Sequence, residues 1–172
     1  MGRSIARIKG LGFILWQTRH EFYHMFVGLM WAWYLRELWS EFNLRWIAVS
    51  VFGSLVPDLD HVIYFMTYGK RDWYTNQVRT FLRNHQWRTV WKFVAIGHKY
   101  NTSLATHNYF FMTGFLLVTG VAYVYDWKAG VILFGAIVGH YLFDVCDDIV
   151  MLGHVNANWR RFLLRHHERK VF

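Results

Sequence analysis

The sequence predicts an all-α fold, an integral membrane bundle of about four transmembrane helices with amphipathic helices at the membrane interface. Three observations point there. Of the 172 residues, 55% are hydrophobic. Four apolar stretches approach the roughly 20 residues that a spanning helix needs. The basic residues are spread unevenly around those stretches. This composition, with a single proline, argues against disorder and fits one membrane domain over residues 1–172. A soluble bundle with long buried helices is the competing reading, because three of the stretches carry polar groups.

The expected spans are FYHMFVGLMWAWYLRELW (22–39), LRWIAVSVFGSLVPDLDHVIYFM (44–66), THNYFFMTGFLLVTGVAYVY (106–125) and AGVILFGAIVGHYLFDVCDDIVM (129–151). The preceding IARIKGLGFILW (5–16) has charges within its apolar run and no small-residue cleavage site, so a cleavable secretory signal is not expected.

Charge sets the expected orientation. Arg3, Arg7, Lys9 and Arg19 precede span one, and Lys70, Arg71, Arg79, Arg83, Arg88, Lys92 and Lys99 lie between spans two and three. Arg160, Arg161, Arg165, Arg169 and Lys170 follow span four, which leaves only Arg36, Arg45 and Lys128 for the other side. By the positive-inside rule both termini and the middle loop face the cytoplasm of a cell or inner membrane.

The net charge of +8 therefore does not require a nucleic acid. In the middle loop Tyr74, Val78, Phe81, Leu82 and His85 recur at helical spacing, with Arg79 and Arg83 elsewhere around the helix. This predicts an interfacial helix over about 72–97, its basic side chains on anionic lipid headgroups and Trp73, Trp87 and Trp91 as anchors. The basic C-terminal tail, 157–172, reads the same way. Nucleic-acid binding is the weaker alternative for both segments. The lone Cys146 has no partner for an internal disulfide or a thiolate metal site, and reads as a small buried residue.

HEFYH (20–24) matches HExxH, which on a helix places His20 and His24 on one face with Glu21 as general base. Further ionisable groups stand inside the other stretches: Asp58, Asp60, His61, His107, His140, Asp144, Asp147 and Asp148. Such groups cost about 2.5 to 3.5 kcal/mol for Asp at a helix centre, so they call for a function. The alternating topology brings His24, the 58–61 cluster, His107 and the 140–148 cluster to one level near the cytoplasmic face. Histidine and aspartate without thiolates suit zinc, and also manganese or iron. A hydrogen-bonded polar chain or proton path is the competing reading.

His140 and Asp144 share a helical face, and Asp147 and Asp148 continue it toward a second metal or an outer carboxylate. Pro57 removes one helical hydrogen bond and frees the Gly53 carbonyl. On an unbroken helix Asp58 and Asp60 point to nearly opposite faces, and a kink at Pro57 turns both inward; without one, Asp58 with His61 is the facing pair.

SLVPDLDH (54–61), THN (106–108) and GHYLFD (139–144), preceded by His24 with Gly28, resemble the YdjM-like family of membrane-bound metal-dependent hydrolases over residues 20–155. The resemblance implies His24, Asp58, Asp60, His107, His140 and Asp144 as metal-site residues. The family's HRG is absent, Thr102 standing in its first position, and Asn108 replaces the usual serine. A zinc-dependent phospholipase C or nuclease is a more distant similarity. In the family pattern only His24 of HEFYH is used.

The expected activity is hydrolysis of a phosphoester or lipid headgroup by a site holding a divalent transition metal, which activates water and polarises the scissile group. Asp60 or Asp144 is the candidate proton acceptor. Two other readings stay open. One is a non-catalytic accessory subunit of a larger membrane complex, for which 20% aromatic residues supply packing surface. The other is an intramembrane metalloprotease using His20, Glu21 and His24, with Asp58 or Asp60 as third ligand.

Overall fold

The computed structural model describes residues 11–160, and their side chains apart from 11–20, 95–96 and 98–100. Expectations for Arg3, Arg7, Lys9, the tail beyond 160 and the side chains of Arg19, His20 and Lys99 lie outside the described residues.

Among the described residues the fold is all helical, with no strand. In chain order the helices are α1 (Leu11–Trp39), α2 (Leu44–Leu55), α3 (Leu59–Met66), α4 (Trp73–Arg83), α5 (Trp87–Asn101), α6 (Tyr109–Val124) and α7 (Lys128–Leu152). Short 3-10 turns occupy Val56–Asp58 and Ala157–Arg160. The centre of the bundle is α7, which packs on α1, α2 and α6, while α1 and α2 also pack on each other. Its buried face runs through Val131, Ile132, Ala136, Ile137, His140 and Tyr141.

Helix ends follow local chemistry. Asn43 caps α2 by accepting from the Arg45 N–H at 3.0 Å, and Asn108 caps α6 by accepting from the Phe111 N–H at 3.0 Å. These bonds use donors that a helix N-terminus leaves unpaired. Gly153, at φ 74°, takes the left-handed conformation that ends α7.

Two stretches, Leu44–Met66 and Lys128–Leu152, are long and apolar enough to cross a membrane. The third expected span, 106–125, forms a helix only over Tyr109–Val124, 16 residues, because Asn108 starts it late. The first extends to 29 residues as α1 and keeps Glu21, Arg36 and Glu37 within it. The expectation of four spans is thus met by length and composition at two of the four stretches. The second is also not one straight helix: proline lacks an N–H, and the chain winds through Val56–Asp58 as a 3-10 turn.

The middle segment forms two helices where the sequence predicted one. His85, at φ 54°, reverses the chain between α4 and α5. The fold-back lets Tyr74 stack on Phe93, ring centroids 4.9 Å apart, with Tyr74, Val78 and Leu104 in the buried cluster beneath. The loop before α4 is tied down by Tyr64, which donates to Asp72 at 2.7 Å, and by Arg79, which donates to the Lys70 and Phe65 carbonyls at 3.2 Å.

Candidate metal centre

α1 carries His24 into the bundle because Gly28, one turn on, lets α2 approach its backbone. A Cβ at Gly28 would lie 2.8 Å from the Val51 Cα and 2.6 Å from Ser54 Oγ. Ser50 Oγ closes the contact by donating to the Gly28 carbonyl at 2.7 Å. His24 is completely buried. Its Nε2 lies 3.4 Å from Asp144 Oδ1.

The turn at Pro57 aims the second set. Asp58 Oδ1 lies 3.9 Å from His61 Nδ1, and Asp58 Oδ2 lies 3.9 Å from His140 Nδ1. Asp60 also turns inward, its Oδ2 3.7 Å from His107 Nδ1. Both aspartates therefore face the cluster, as a kink allows and a straight helix does not. The carbonyl taken up by the site is that of Ser54, one residue beyond the Gly53 carbonyl expected from a simple proline break. His140 Nδ1 lies 2.7 Å from it.

His107 comes from the loop before α6, and Asp60 holds that loop. The Asp60 carboxylate accepts from the Thr106 N–H at 2.7 Å, from Thr106 Oγ1 at 2.9 Å and from the Tyr68 hydroxyl. The Tyr68 oxygen in turn accepts from the Ala105 N–H at 3.1 Å. On its other side His107 Nε2 is 3.5 Å from Asp144 Oδ2. Asn108, where the resemblance expects serine, donates to the Ala105 carbonyl at 2.8 Å besides capping α6, so the loop keeps its polar contacts.

α7 completes the cluster with His140 and Asp144, whose Nε2 and Oδ2 are 3.1 Å apart. Three groups hold ligand atoms within 4.8 Å of one another: His24, Asp58 and His140; Asp58, His61 and His107; and His107, His140 and Asp144. The protein thus holds His/Asp groups positioned for a metal ion.

The donors fit a divalent cation. His140 Nε2 and both ring nitrogens of His107 are buried and make no hydrogen bond. Leaving such an atom unsatisfied costs about 1 to 3 kcal/mol, which a bound cation would offset. With His140 Nδ1 against the Ser54 carbonyl, its proton belongs on Nδ1 and its lone pair on Nε2, the arrangement of a ligating imidazole whose other nitrogen is oriented by an outer partner. Asp60 Oδ2 lies near His107 Nδ1, at 3.7 Å, without closing such a bond. A cation would also offset the mutual repulsion of Asp58, Asp60 and Asp144.

The structure brings His24, Asp58, His107, His140 and Asp144 into these groups, and it adds His61, which closes PDLDH but is not among the metal-site residues that the resemblance implies. Its sequence signal was the three-residue spacing from Asp58. Asp60 lies against the cluster, its carboxylate engaged with Thr106 and Tyr68. Of HEFYH, His24 is in the cluster and Glu21 is exposed. Asp147 and Asp148 belong to none of the groups. Asp148 instead accepts from the Asn156 N–H and Trp159 Nε1, each at 3.1 Å, and so fastens the turn after α7. Cys146 is exposed, not buried as its place in span four led us to expect.

Comparison with family models, curated proteins and solved structures found no match.

Proposed function

We propose that this chain is a membrane-embedded, metal-dependent hydrolase of the YdjM-like kind, acting on phosphoesters or lipid headgroups at the cytoplasmic membrane face. The observation that carries the proposal is the set of overlapping His/Asp groups in which both buried His107 ring nitrogens and His140 Nε2 lack hydrogen-bond partners. His24, Asp58, His107, His140 and Asp144 would hold the metal, zinc by preference, which supplies Lewis acidity and activates water for hydrolysis.

The chain's own residues do the rest. Asp60 fixes the loop that bears His107, and the Ser54 carbonyl orients His140. Asp58, His61 and Asp144 are only partly buried, so substrate and water enter on their side. Hydrolysis adds water across the ester bond, the oxygen joining phosphorus and a proton leaving with the released alcohol.

The outer surface supports membrane embedding. Phe26 and Trp33 on α1 and Leu117 and Val124 on α6 are exposed, with fractional exposures of 58% to 79%. Large apolar side chains exposed in this number are uncommon on soluble monomers and suit contact with lipid. On this reading α1 and α6 complete four spans with both termini cytoplasmic, and the basic residues of α4 and α5 meet anionic headgroups beside the site.

The test is hydrolysis of phosphodiesters and glycerophospholipids by protein reconstituted in nanodiscs, before and after metal removal. Activity lost to a chelator, restored by metal and absent from His140→Ala supports the proposal. Metal-bound protein inactive on every phosphoester class offered contradicts it.

A further inference from the structure

We infer that the centre is dinuclear, two divalent cations bridged by aspartate, and that its substrate class is accordingly a phosphoester. The inference rests on the metal-site reading above and goes beyond it in the number of ions and the ligand set, which single out the phosphoester among the substrates proposed.

The argument starts from how the imidazoles divide. Two of the groups, His24 with His140 and His61 with His107, share a single residue, Asp58. Each group therefore supplies two histidines of its own, and four imidazoles surround one carboxylate. Among the described residues no single group within 4.8 Å holds all four imidazoles, so they surround two neighbouring centres, which the third group, His107, His140 and Asp144, joins.

The carboxylates have the orientation that bridging needs. Asp58 turns Oδ1 toward His61 and Oδ2 toward the protonated Nδ1 edge of His140, both at 3.9 Å, so its two oxygens face different histidine pairs. Asp144 does likewise from α7. Its Oδ1 is 3.4 Å from His24, and its Oδ2 is 3.5 Å from His107 and 3.1 Å from His140. Asp60 lies outside both groups and holds the loop, a different task from that of Asp58 although only two residues away.

Charge balance points the same way. Asp58, Asp60 and Asp144 bring three negative charges to a largely buried volume, and one dication leaves a net negative site. Two dications leave it positive, suited to an anionic substrate. Paired cations stabilise both the attacking and the leaving oxygen of an in-line displacement at phosphorus, so phosphoesters are favoured over carboxylic esters and amides.

The experiment titrates chelator-stripped, detergent-solubilised protein with Mn²⁺, following free ion and protein-bound spectrum by electron paramagnetic resonance. Uptake of two equivalents with an exchange-coupled spectrum is expected. His61→Ala, and His61→Gln should the first fail to fold, should retain one equivalent with an uncoupled spectrum. Wild-type saturation at one equivalent overturns the dinuclear inference and leaves the metal-site reading standing; absence of any uptake overturns both. Two uncoupled equivalents overturn the bridging role of aspartate. Two coupled equivalents in a folded His61 variant overturn the assigned ligand set.

Discussion

The imidazoles of His24 and His140 lie stacked, with ring centroids 3.8 Å apart and planes 20° from parallel. Two imidazolium ions in that arrangement would repel strongly in a buried site, so the pair is suited to neutral rings. Neutral imidazoles are the form that binds metal. Replacing His24 by Ala should weaken metal affinity at least about 100-fold, more than loss of an outer-shell partner usually does. Isothermal titration with Zn²⁺ measures this, and unchanged affinity would remove His24 from the site.

Asp60 is expected to act through His107. Asp60→Asn keeps the size but exchanges one acceptor oxygen for a donor, so the three bonds from Thr106 and Tyr68 cannot all survive. Metal affinity should fall about 10- to 100-fold with stoichiometry unchanged, as for other outer-shell partners. Loss of a whole equivalent in this variant would instead make Asp60 a direct ligand.

Gly28 tests the helix contact that delivers His24. In Gly28→Ala the new methyl meets the Val51 backbone at 2.8 Å, and backbone cannot rotate away. Overpacking of this kind costs about 1 to 3 kcal/mol. A lower melting temperature in detergent is expected, together with weakened metal binding. A variant as stable as the parent would mean that α1 and α2 do not meet here.

Alkaline pH should act on the loop beside the site. Tyr68 and Tyr74 lie outside the membrane-spanning segments, and burial raises both hydroxyls above the ordinary tyrosine value; for Tyr68 the neighbouring Asp60 carboxylate adds to the rise. A raised folded-state value favours the neutral phenol. Its contribution to stability is fully present below the unfolded value, about 10, and is lost as pH rises through the folded one. Wild type should therefore lose stability above about pH 10, and Tyr74→Phe, which removes one titrating group, should lose it less steeply. Parallel curves for the two proteins would contradict this assignment.

Much of the site was legible because polar residues inside apolar stretches are costly and therefore informative. PDLDH, His107 and GHYLFD were each visible as an anomaly, and alternating helices carry them to one level. His61 was visible by its spacing from Asp58, yet nothing local separated ligand from bystander among five consecutive residues. The different tasks of Asp58 and Asp60 depend on Tyr68 and Thr106, 46 residues from Asp60 in the second case, and no periodicity encodes that contact. The reversal at His85 was missed because a basic amphipathic pattern continues through it, and its left-handed φ accompanies a fold-back in which Tyr74 packs on Phe93. Asp148 read as part of the metal face because it continues the α7 register. Its partners come from the turn after Gly153, whose position only the folded chain defines.

The most direct measurement is the transition-metal content of protein purified in mild detergent, beside His140→Ala and Asp144→Ala. A metal centre requires one or two equivalents in the wild type, lost in both variants while helical content is retained. Wild-type protein that holds no metal after loading with zinc, manganese or iron, or variants that keep the full complement, would contradict it and leave the cluster as a polar packing feature of the bundle.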